Sequence, residues 1–392
     1  MNKIKLVYIV NQLGLGGLEK NLLDICMYSD LSKFDITILS FSNDNLMLER
    51  YILSPQIKIY YFDYNFSDDY SILGYFKLAF NSKLIETNKT IKKLLDIEPD
   101  IINFHTTPRE LILGHSFLKL SKNKKTVLIY TDQLVRFQKN EICFFKQQLL
   151  AVSFRKLYSK FHHIYVSNSV ANFAKRYSLL EKGYKSRIIE NTVDVNYFKK
   201  SLNTSTLDFF KIIYPARLSD VKGHKFLIQA FKLFLLKMES VNKNIKYKLL
   251  LLGDGELKNE LMEFTNSIGI HNNVDFLGYK KDVKQILNEC VVGVFPSQKE
   301  GLPLALLEMM SMSLPTLASD IPEIVDLIED GYNGVIFHLN DLNDFVNKLE
   351  NLVKDENLRI SLAVNSRLSV EKRFGRSSNA TMYEEFYFDL LN

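Results

Sequence analysis

The chain has 392 residues, which at roughly 100–200 residues per domain predicts two or three domains. Its composition is 46% hydrophobic and 24% charged, which excludes a disordered tail, a collagen-like repeat and a mucin-like stalk. A net charge of +5 suits an anionic small molecule or an acidic membrane surface, and we expect no nucleic acid as a partner.

Cysteine usage and hydropathy predict a cytoplasmic protein. Cys26, Cys143 and Cys290 are far apart and odd in number, which argues against a disulfide framework and a CxxC metal site. The apolar run Leu6–Val10 is too short for a signal peptide, and no run reaches the ~18 apolar residues of a membrane span.

In the first half, short apolar runs predict strands, and segments between several of them have the periodicity of helices. The predicted strands are Lys5–Val10, Ile36–Phe41, Ile57–Phe62, Ile101–Phe104, Thr126–Tyr130 and His163–Val166, and the helices include Leu18–Tyr28 and Lys83–Leu95. Continuous apolar strands that alternate with helices indicate a parallel sheet covered on both faces.

The same pattern restarts after the polar stretch Lys199–Asp208. The predicted strands are Phe210–Tyr214, Lys248–Leu252, Val274–Phe276, Val291–Phe295, Thr316–Ala318 and Gly334–Phe337. The predicted helices are Lys225–Met238, Glu256–Ile268, Lys281–Asn288, Leu304–Ser311, Glu323–Leu327, Leu342–Val353 and Glu356–Glu371.

This pattern predicts an α/β protein with two doubly wound, Rossmann-like halves that face each other across a cleft. We place them at residues 1–197 and 198–373, and we expect a C-terminal helix within 374–392 to cross back to the first half. Ligands of such sheets bind outside the carboxyl ends of the strands, so the cleft is the expected site.

A glycine-rich segment follows the first strand and contains Gly14, Gly16 and Gly17. Glycines between a strand and a helix let backbone amides approach an anion at the helix N-terminus. The segment is not GxGxxG, because Glu19 stands where the third glycine would be. Taken alone, it fits a ligand loop and a tight turn equally well.

Two carboxylates, Glu300 and Glu308, flank the predicted start of a helix at Pro303. Glu300 would lie in the loop before the helix and Glu308 a little over one turn inside it, so both could border one crevice. The amides of Gly301–Leu304 would point at a phosphate there, and Lys299 would add positive charge. The alternative is a loop carboxylate near a positive helix end and a solvated helix residue.

Two cations, Arg217 and Lys222, flank the turn after the first strand of the second half. Arginine binds two oxygens at once, whereas lysine is a mobile point charge, and together they suit a diphosphate. The alternative is a pair of solvated loop charges.

Together these motifs resemble the family 4 (group 1) retaining glycosyltransferases of the GT-B fold, and the similarity is strongest from Ile212 to Phe337. The motifs that carry it are Gly16-Gly17-Leu18-Glu19, Arg217-x4-Lys222-Gly223, Leu251-Leu252-Gly253-Asp254-Gly255, Phe276-Leu277-Gly278 and Glu300-x7-Glu308. The resemblance implies that Glu308 binds the ribose hydroxyls of a nucleotide sugar and that Glu300 contacts the donor sugar. It also implies that Arg217 and Lys222 hold the diphosphate.

By the same resemblance His105, after the strand that begins at Ile101, is the sugar-contacting histidine. The implied catalytic residues are thus Glu300, His105, Arg217 and Lys222. The implied donor-binding residues are Glu308, Gly301, Leu302, Pro303, Gly16, Gly17, Gly253 and Tyr279.

Three departures from the family pattern concern the acceptor side and the identity of the sugar. Thr192 replaces a glycine, Tyr130-Thr131-Asp132 lacks a histidine, and Ser319–Glu323 replaces a Gly-Gly pair while Glu323 is retained.

The implied activity is transfer of a sugar from a UDP-linked donor to a saccharide or lipid-linked acceptor in surface polysaccharide synthesis, such as capsule or lipopolysaccharide. Arg217, Lys222 and a helix N-terminus would stabilise the leaving diphosphate, so we expect no metal and no cofactor. Retention could follow a double displacement on Glu300 or a front-face route. The residues leave both open, and the resemblance favours the second.

Residues 133–163 mix cations with phenylalanines, including Phe161. This pattern suggests a peripheral surface that docks on anionic lipid at the inner face of the plasma membrane. A core helix with a solvated basic face explains it equally well.

Three other functions compete. An NAD-dependent oxidoreductase is disfavoured because GxGxxG is missing and no acidic residue ends the second strand at Ile38–Phe41. A non-catalytic sugar-binding protein is disfavoured as a secreted binder because there is no signal peptide. A nucleotide-sugar epimerase on the same fold is the closest enzymatic rival.

Overall fold

The computed structural model describes residues 3–14, 16–45, 47–48, 51–62, 89–105, 111–121, 125–132, 155, 158–201, 209–239 and 245–392. The chain divides into two compact units. The first comprises Met1–Asn191 with Ser377–Asn392, and the second comprises Thr192–Arg376.

The first unit contains a parallel sheet of seven strands in the order β3-β2-β1-β4-β5-β6-β7. The strands are β1 (Ile4–Val10), β2 (Phe34–Ser40), β3 (Lys58–Tyr61), β4 (Ile101–His105), β5 (Val127–Asp132), β6 (His162–Tyr165) and β7 (Ser186–Ile188). Helices of this unit are α1 (Gly17–Tyr28), α2 (Lys89–Ile97), α3 (Leu111–Leu120), α4 (Asn168–Arg176) and the last helix of the chain, α12 (Arg376–Leu391).

The core of the first unit includes the final helix of the chain. Residues Leu6–Val10 of β1 are all buried, as expected for a central parallel strand covered on both faces. Tyr383, Phe386 and Tyr387 of α12 belong to the same buried cluster as Leu6. The last residues of the chain therefore complete the core that its first strand begins.

The second unit contains a parallel sheet of six strands in the order β10-β9-β8-β11-β12-β13. The strands are β8 (Phe210–Pro215), β9 (Tyr247–Leu252), β10 (Val274–Gly278), β11 (Val292–Phe295), β12 (Thr316–Ser319) and β13 (Val335–Phe337). Its helices are α5 (His224–Glu239), α6 (Lys258–Ser267), α7 (Val283–Asn288), α8 (Leu304–Ser311), α9 (Pro322–Val325), α10 (Leu342–Lys354) and α11 (Glu356–Arg373).

The predicted fold class, with two doubly wound Rossmann-like sheets, is confirmed. Strand β7 and helices α3 and α4 were not among the elements named from the sequence. The Ser-Arg-Ile stretch of β7 is short and partly exposed, so it lacks the apolar signal of a strand. Helix α4 does carry a local signal, because the Ser167 hydroxyl caps its N-terminus by accepting from the amide of Val170. The first residues of the predicted helix Lys83–Leu95 lie outside the described residues.

Candidate functional site

Nine of the twelve site residues predicted from the sequence lie at or next to the carboxyl edge of the second sheet. The loop after β8, which carries Arg217 and Lys222, contacts the loops after two other strands. The amide of Leu218 donates to the carbonyl of Asp254 at 3.0 Å, and the amide of Gln298 donates to the carbonyl of Val221 at 2.8 Å. This loop therefore connects the turn after β9 with the segment after β11 that leads to Glu300.

Two glycines permit this close approach of backbones. Gly253 has φ +146°, and a Cβ there would lie 2.1 Å from the carbonyl oxygen of Ala216. Gly223 has φ +72°, and a Cβ there would lie 2.4 Å from the carbonyl oxygen of Pro296. A side chain at either position would displace backbone, so both glycines shape the edge that carries the predicted site.

An ion pair between Lys222 and Glu300 lies at the centre of this edge. Lys222 Nζ is 2.6 Å from Glu300 Oε1, and the two side chains are 22% and 9% exposed. The hydroxyl of Tyr214 at the end of β8 donates to the carbonyl of Lys222 and lies 2.8 Å from Ser297 Oγ. A buried tyrosine in the strand thus holds the turn that carries Lys222.

A buried histidine adjoins the pair. His224 begins α5, its ring packs 4.8 Å from that of Tyr214, and neither ring nitrogen has a hydrogen-bond partner in the described part of the chain. Burial, together with the charge of Lys222, lowers the pKa of His224 to about 4. The imidazole is therefore neutral near pH 7 and adds no positive charge beside Lys222.

The segment from Gly301 to Pro303 is buried and leads into α8. The predicted helix Leu304–Ser311 is confirmed, but Pro303 is its N-cap, with an extended ψ of 102°, and not its first residue as its proline character suggested. Its carbonyl accepts from the amides of Leu306 and Leu307. Leu302 is buried beside it, and Glu308 is half-buried a little over one turn inside the helix.

Arg217 and Tyr279 lie on the more exposed part of the same edge. The guanidinium of Arg217 is 72% exposed and pairs with Glu256 at 3.4 Å. Tyr279 follows β10 and is 40% exposed, next to Gly278, whose carbonyl accepts from the amide of Gly253 at 3.0 Å. Arg217, Gly253 and Tyr279 thus come from three adjacent strand ends.

Glu323 is a buried acid that the predicted site did not include. It lies in α9, just after β12, and its residue is 3% exposed. Its Oε2 has no hydrogen-bond partner among the residues that the structure describes. Burial, and then the nearby charges of Glu300 and Asp326, raise the pKa of Glu323 to about 7. The sequence marks it as a carboxylate shortly after a predicted strand and as a residue retained from the family pattern.

The other three predicted residues lie at the carboxyl edge of the first sheet. His105 ends β4 and pairs in register with Val10, the last residue of β1. It is fully buried, with its ring stacked on Tyr383 at 6.2 Å and edge-on to Tyr8 at 5.4 Å. Burial lowers its pKa to about 3, and neither ring nitrogen has a partner in the described residues.

The glycine-rich segment lies beside His105 in the first sheet, because it follows β1. Gly16 is the N-cap of α1 and Gly17 its first residue. A Cβ on Gly16 would lie 2.2 Å from Oε2 of Glu19, so the carboxylate of this first-turn residue covers the glycine. An anion that approached these amides would have to displace Glu19.

The predicted lipid-docking segment 133–163 is described only at 155 and 158–163. Phe161 was expected on that surface, but it is fully buried and packs 5.5 Å from the ring of Phe104. Within the described ranges no helix is long and apolar enough to cross a bilayer. In that same part of the chain, no three His, Cys, Asp or Glu side chains are grouped as a metal site requires.

Comparison with known proteins identifies the fold of the chain and a family that its second unit matches. Residues 198–369 match the family described as Glycosyl transferases group 1. An uncharacterized glycosyltransferase of Methanocaldococcus jannaschii is 28% identical over 60% of this chain and 59% of its own length. The UDP-Gal:alpha-D-GlcNAc-diphosphoundecaprenol alpha-1,3-galactosyltransferase of Escherichia coli is 27% identical over 53% of this chain and 55% of its own length.

The chain thus spans little more than half the length of these curated relatives. The solved structure of Anabaena HepE in complex with UDP aligns over 98% of this chain and 100% of its own, with a TM-score of 0.75 and 18% identity. That likeness shows the fold. With two Rossmann-like sheets and the motifs from Arg217 to Glu308 on one sheet edge, the chain has the GT-B fold, and its residues 198–369 match the group 1 glycosyltransferases.

Proposed function

We propose that this protein is a retaining, metal-independent glycosyltransferase that moves a sugar from a UDP-sugar to a saccharide or lipid-linked acceptor. The observation that carries the proposal is the Lys222–Glu300 ion pair at 2.6 Å on the carboxyl edge of the second sheet. Ligands of doubly wound sheets bind at such edges, and a cation and a carboxylate there match the two ends of a nucleotide sugar.

The leaving group gives Lys222 its role. A diphosphate that departs from an anomeric carbon gains negative charge, and Lys222 together with Arg217 and the first-turn amides of α8 would stabilise it. A diphosphate would also compete with Glu300 for Lys222, since the ammonium is held at 2.6 Å by that carboxylate in this structure. These charges supply the stabilisation that a metal ion would otherwise provide, so we propose that none is required.

The same ion pair favours a positioning role for Glu300 over a nucleophilic one. A carboxylate held by an ammonium has less negative charge available for attack on an anomeric carbon. We therefore favour the front-face route, in which the departing phosphate accepts the proton of the acceptor hydroxyl through an oxocarbenium-like state.

The names of relatives support the donor and acceptor classes. The galactosyltransferase of Escherichia coli is named for UDP-Gal and a diphosphoundecaprenol acceptor, and HepE was solved with UDP. We carry UDP and a saccharide or lipid-linked acceptor to this chain on that basis. Contact with an anionic membrane through residues 133–163 stays a prediction, because most of that segment lies outside the described residues.

Release of UDP from a set of UDP-sugars, with and without EDTA, tests the activity. We expect turnover of at least one donor, no loss with EDTA, and a loss of 100-fold or more in Lys222→Ala, on the order of an electrostatic contribution to a transition state. The anomeric configuration of the product, measured by NMR, should match that of the donor. Inversion, or activity that EDTA abolishes, would overturn the corresponding part of the proposal.

A further inference from the structure

Glu323 occupies the position next to Glu300 that the sheet topology dictates. Strands β11 and β12 are parallel neighbours with Phe295 opposite Ala318, and each glutamate comes five residues after its member of this pair. The hydroxyl of Ser319 donates to the carbonyl of Ser297 at 2.6 Å, which holds the two following loops together. The two acids therefore emerge from linked loops at one place on the edge.

One oxygen of the Glu323 carboxyl, Oε2, lacks the hydrogen-bond partner that its burial demands. The residue is 3% exposed, and Oε2 accepts and donates no hydrogen bond within the described part of the chain. A buried polar atom without a partner costs about 1–3 kcal/mol, and such atoms in native proteins usually bind water or a ligand. The buried Oε2, in a residue that feels the charge of Glu300, is therefore available to a water molecule or to a ligand atom.

The charges around Glu323 decide its protonation state. Burial, Glu300 and Asp326 disfavour its ionised form, whereas a hydrogen bond from its own backbone amide and the charge of Lys299 favour it. Lys222, another cation of this edge, is paired with Glu300. Burial and two carboxylates outweigh the backbone amide and the lysine, so the pKa rises to about 7 and a neutral acid, which carries an O–H donor, is accessible near neutral pH.

We propose, resting on the function above, that Glu323 is a further donor-binding residue whose protonated carboxyl donates a hydrogen bond to an oxygen of the donor diphosphate. A neutral acid can approach a diphosphate next to Glu300 without repulsion, whereas an ionised carboxylate would repel it. Diphosphate binding and protonation of Glu323 would then favour each other. UDP affinity should therefore depend on pH through the protonation of Glu323.

Titration calorimetry with UDP as the probe tests this role at about pH 6 and about pH 8. In the wild type we expect UDP affinity to fall with rising pH by about 5-fold or more beyond the fall in Glu323→Gln, which keeps a neutral donor at every pH. The glutamine variant is the matched control, because ionisation of UDP itself affects both proteins equally. Glu323→Leu should bind UDP about 3- to 10-fold more weakly at pH 6, the loss of one hydrogen bond.

Equal pH dependence of UDP affinity in the wild type and Glu323→Gln would overturn the role of Glu323 and leave the proposed function intact. Failure of the wild type to bind UDP at either pH would overturn the proposed function, and this role with it. If Glu323→Leu does not fold, as thermal unfolding would show, the comparison between wild type and Glu323→Gln still decides.

Discussion

At the scale of single residues, the main feature of the carboxyl edge of the second sheet is a pair of opposite charges that are partly buried. Lys222 and Glu300 form a pair in which both side chains are largely shielded, whereas Lys225 and Glu260 form an exposed pair at 3.4 Å. Shielding makes the loss of one partner costly, because the other charge is left without compensation. The same pair that we assign to catalysis should therefore also contribute to stability.

Replacing Lys222 by methionine tests this contribution. We expect Lys222→Met to lower the free energy of unfolding by about 3 kcal/mol, since it leaves Glu300 buried and unpaired. The matched control is Lys225→Met, which removes an exposed pair and should cost under about 1 kcal/mol. Urea denaturation measures the free energy of unfolding of both variants. Equal losses would contradict a larger effect of the shielded pair.

The raised pKa of Glu323 predicts how the free energy of unfolding depends on pH. Its pKa is raised from 4.5 to about 7 in the folded protein, so the folded state binds the proton more tightly than the unfolded state. Its contribution to stability is therefore fully present below about pH 4.5 and is lost as the pH rises to about 7. Between these pH values the free energy of unfolding of Glu323→Gln should therefore rise relative to that of the wild type. By the linkage relation the rise is up to roughly 3 kcal/mol.

Urea denaturation of both proteins at about pH 4.5 and about pH 8 measures this gain. A constant difference between the two proteins would contradict the raised pKa of the carboxyl.

At the scale of elements, helix α12 ties three strands of the first sheet together. The Tyr387 hydroxyl lies 3.0 Å from that of Tyr8 in β1 and accepts from Asn103 Nδ2 of β4 at 2.8 Å. The Thr131 hydroxyl of β5 donates to Asn103 Oδ1 at 2.9 Å. Tyr383, one turn earlier in α12, stacks on His105. This helix therefore fixes the strand ends around the histidine that the family resemblance singles out.

Removal of one hydroxyl tests this network. Tyr387→Phe leaves the Tyr8 hydroxyl and Asn103 Nδ2 without their buried partner, and we expect it to cost about 1–3 kcal/mol in the free energy of unfolding. Tyr247→Phe is the matched control, because the buried hydroxyl of Tyr247 has no partner among the described residues and its removal should cost almost nothing. Chemical denaturation compares them, and a neutral Tyr387→Phe would contradict the network.

The loop after β8 depends on Gly223, and a second glycine provides the comparison. Gly223 and Gly269 have φ of +72° and +76°, but a Cβ on Gly223 would meet Pro296 whereas nothing lies within 4 Å of Gly269. Both alanine variants should lose about 1 kcal/mol from left-handed backbone. We expect Gly223→Ala to lose about 1–3 kcal/mol more and to bind UDP at least 10-fold more weakly, because Lys222 adjoins it. Similar UDP affinity in both variants would contradict this.

At the scale of the whole molecule, the periodicity of the chain predicted most of the architecture. Continuous apolar runs such as Leu249–Leu252 identify buried parallel strands regardless of what packs on them. The short β7 could not be found this way, because it is partly exposed and has no continuous apolar run. It is a strand because it pairs with β6, a contact in space that local periodicity does not reveal. Motif order also predicted the GT-B fold, which comparison confirmed, and a resemblance to the group 1 family, which residues 198–369 match.

Individual side-chain environments were harder to predict than the fold. Spacing placed Glu300 in a loop and Glu308 inside a helix, but the capture of Lys222 by Glu300 depends on a Tyr214 hydroxyl below the turn. The burial of Glu323 and Phe161 depends on neighbours that no local pattern encodes. The sequence therefore identified the loops that contain the site residues, and the packing of the fold determined which of their charged side chains form ion pairs.

The central claim is that the carboxyl edge of the second sheet binds a uridine diphosphate. A thermal-shift panel with UDP, GDP and ADP on the wild type and on Glu308→Ala tests it most directly, since ligands that bind only the folded state raise its melting temperature. We predict that UDP raises the melting temperature of the wild type more than GDP or ADP does, and that Glu308→Ala loses most of that shift. Equal shifts with UDP in the two proteins would contradict the claim.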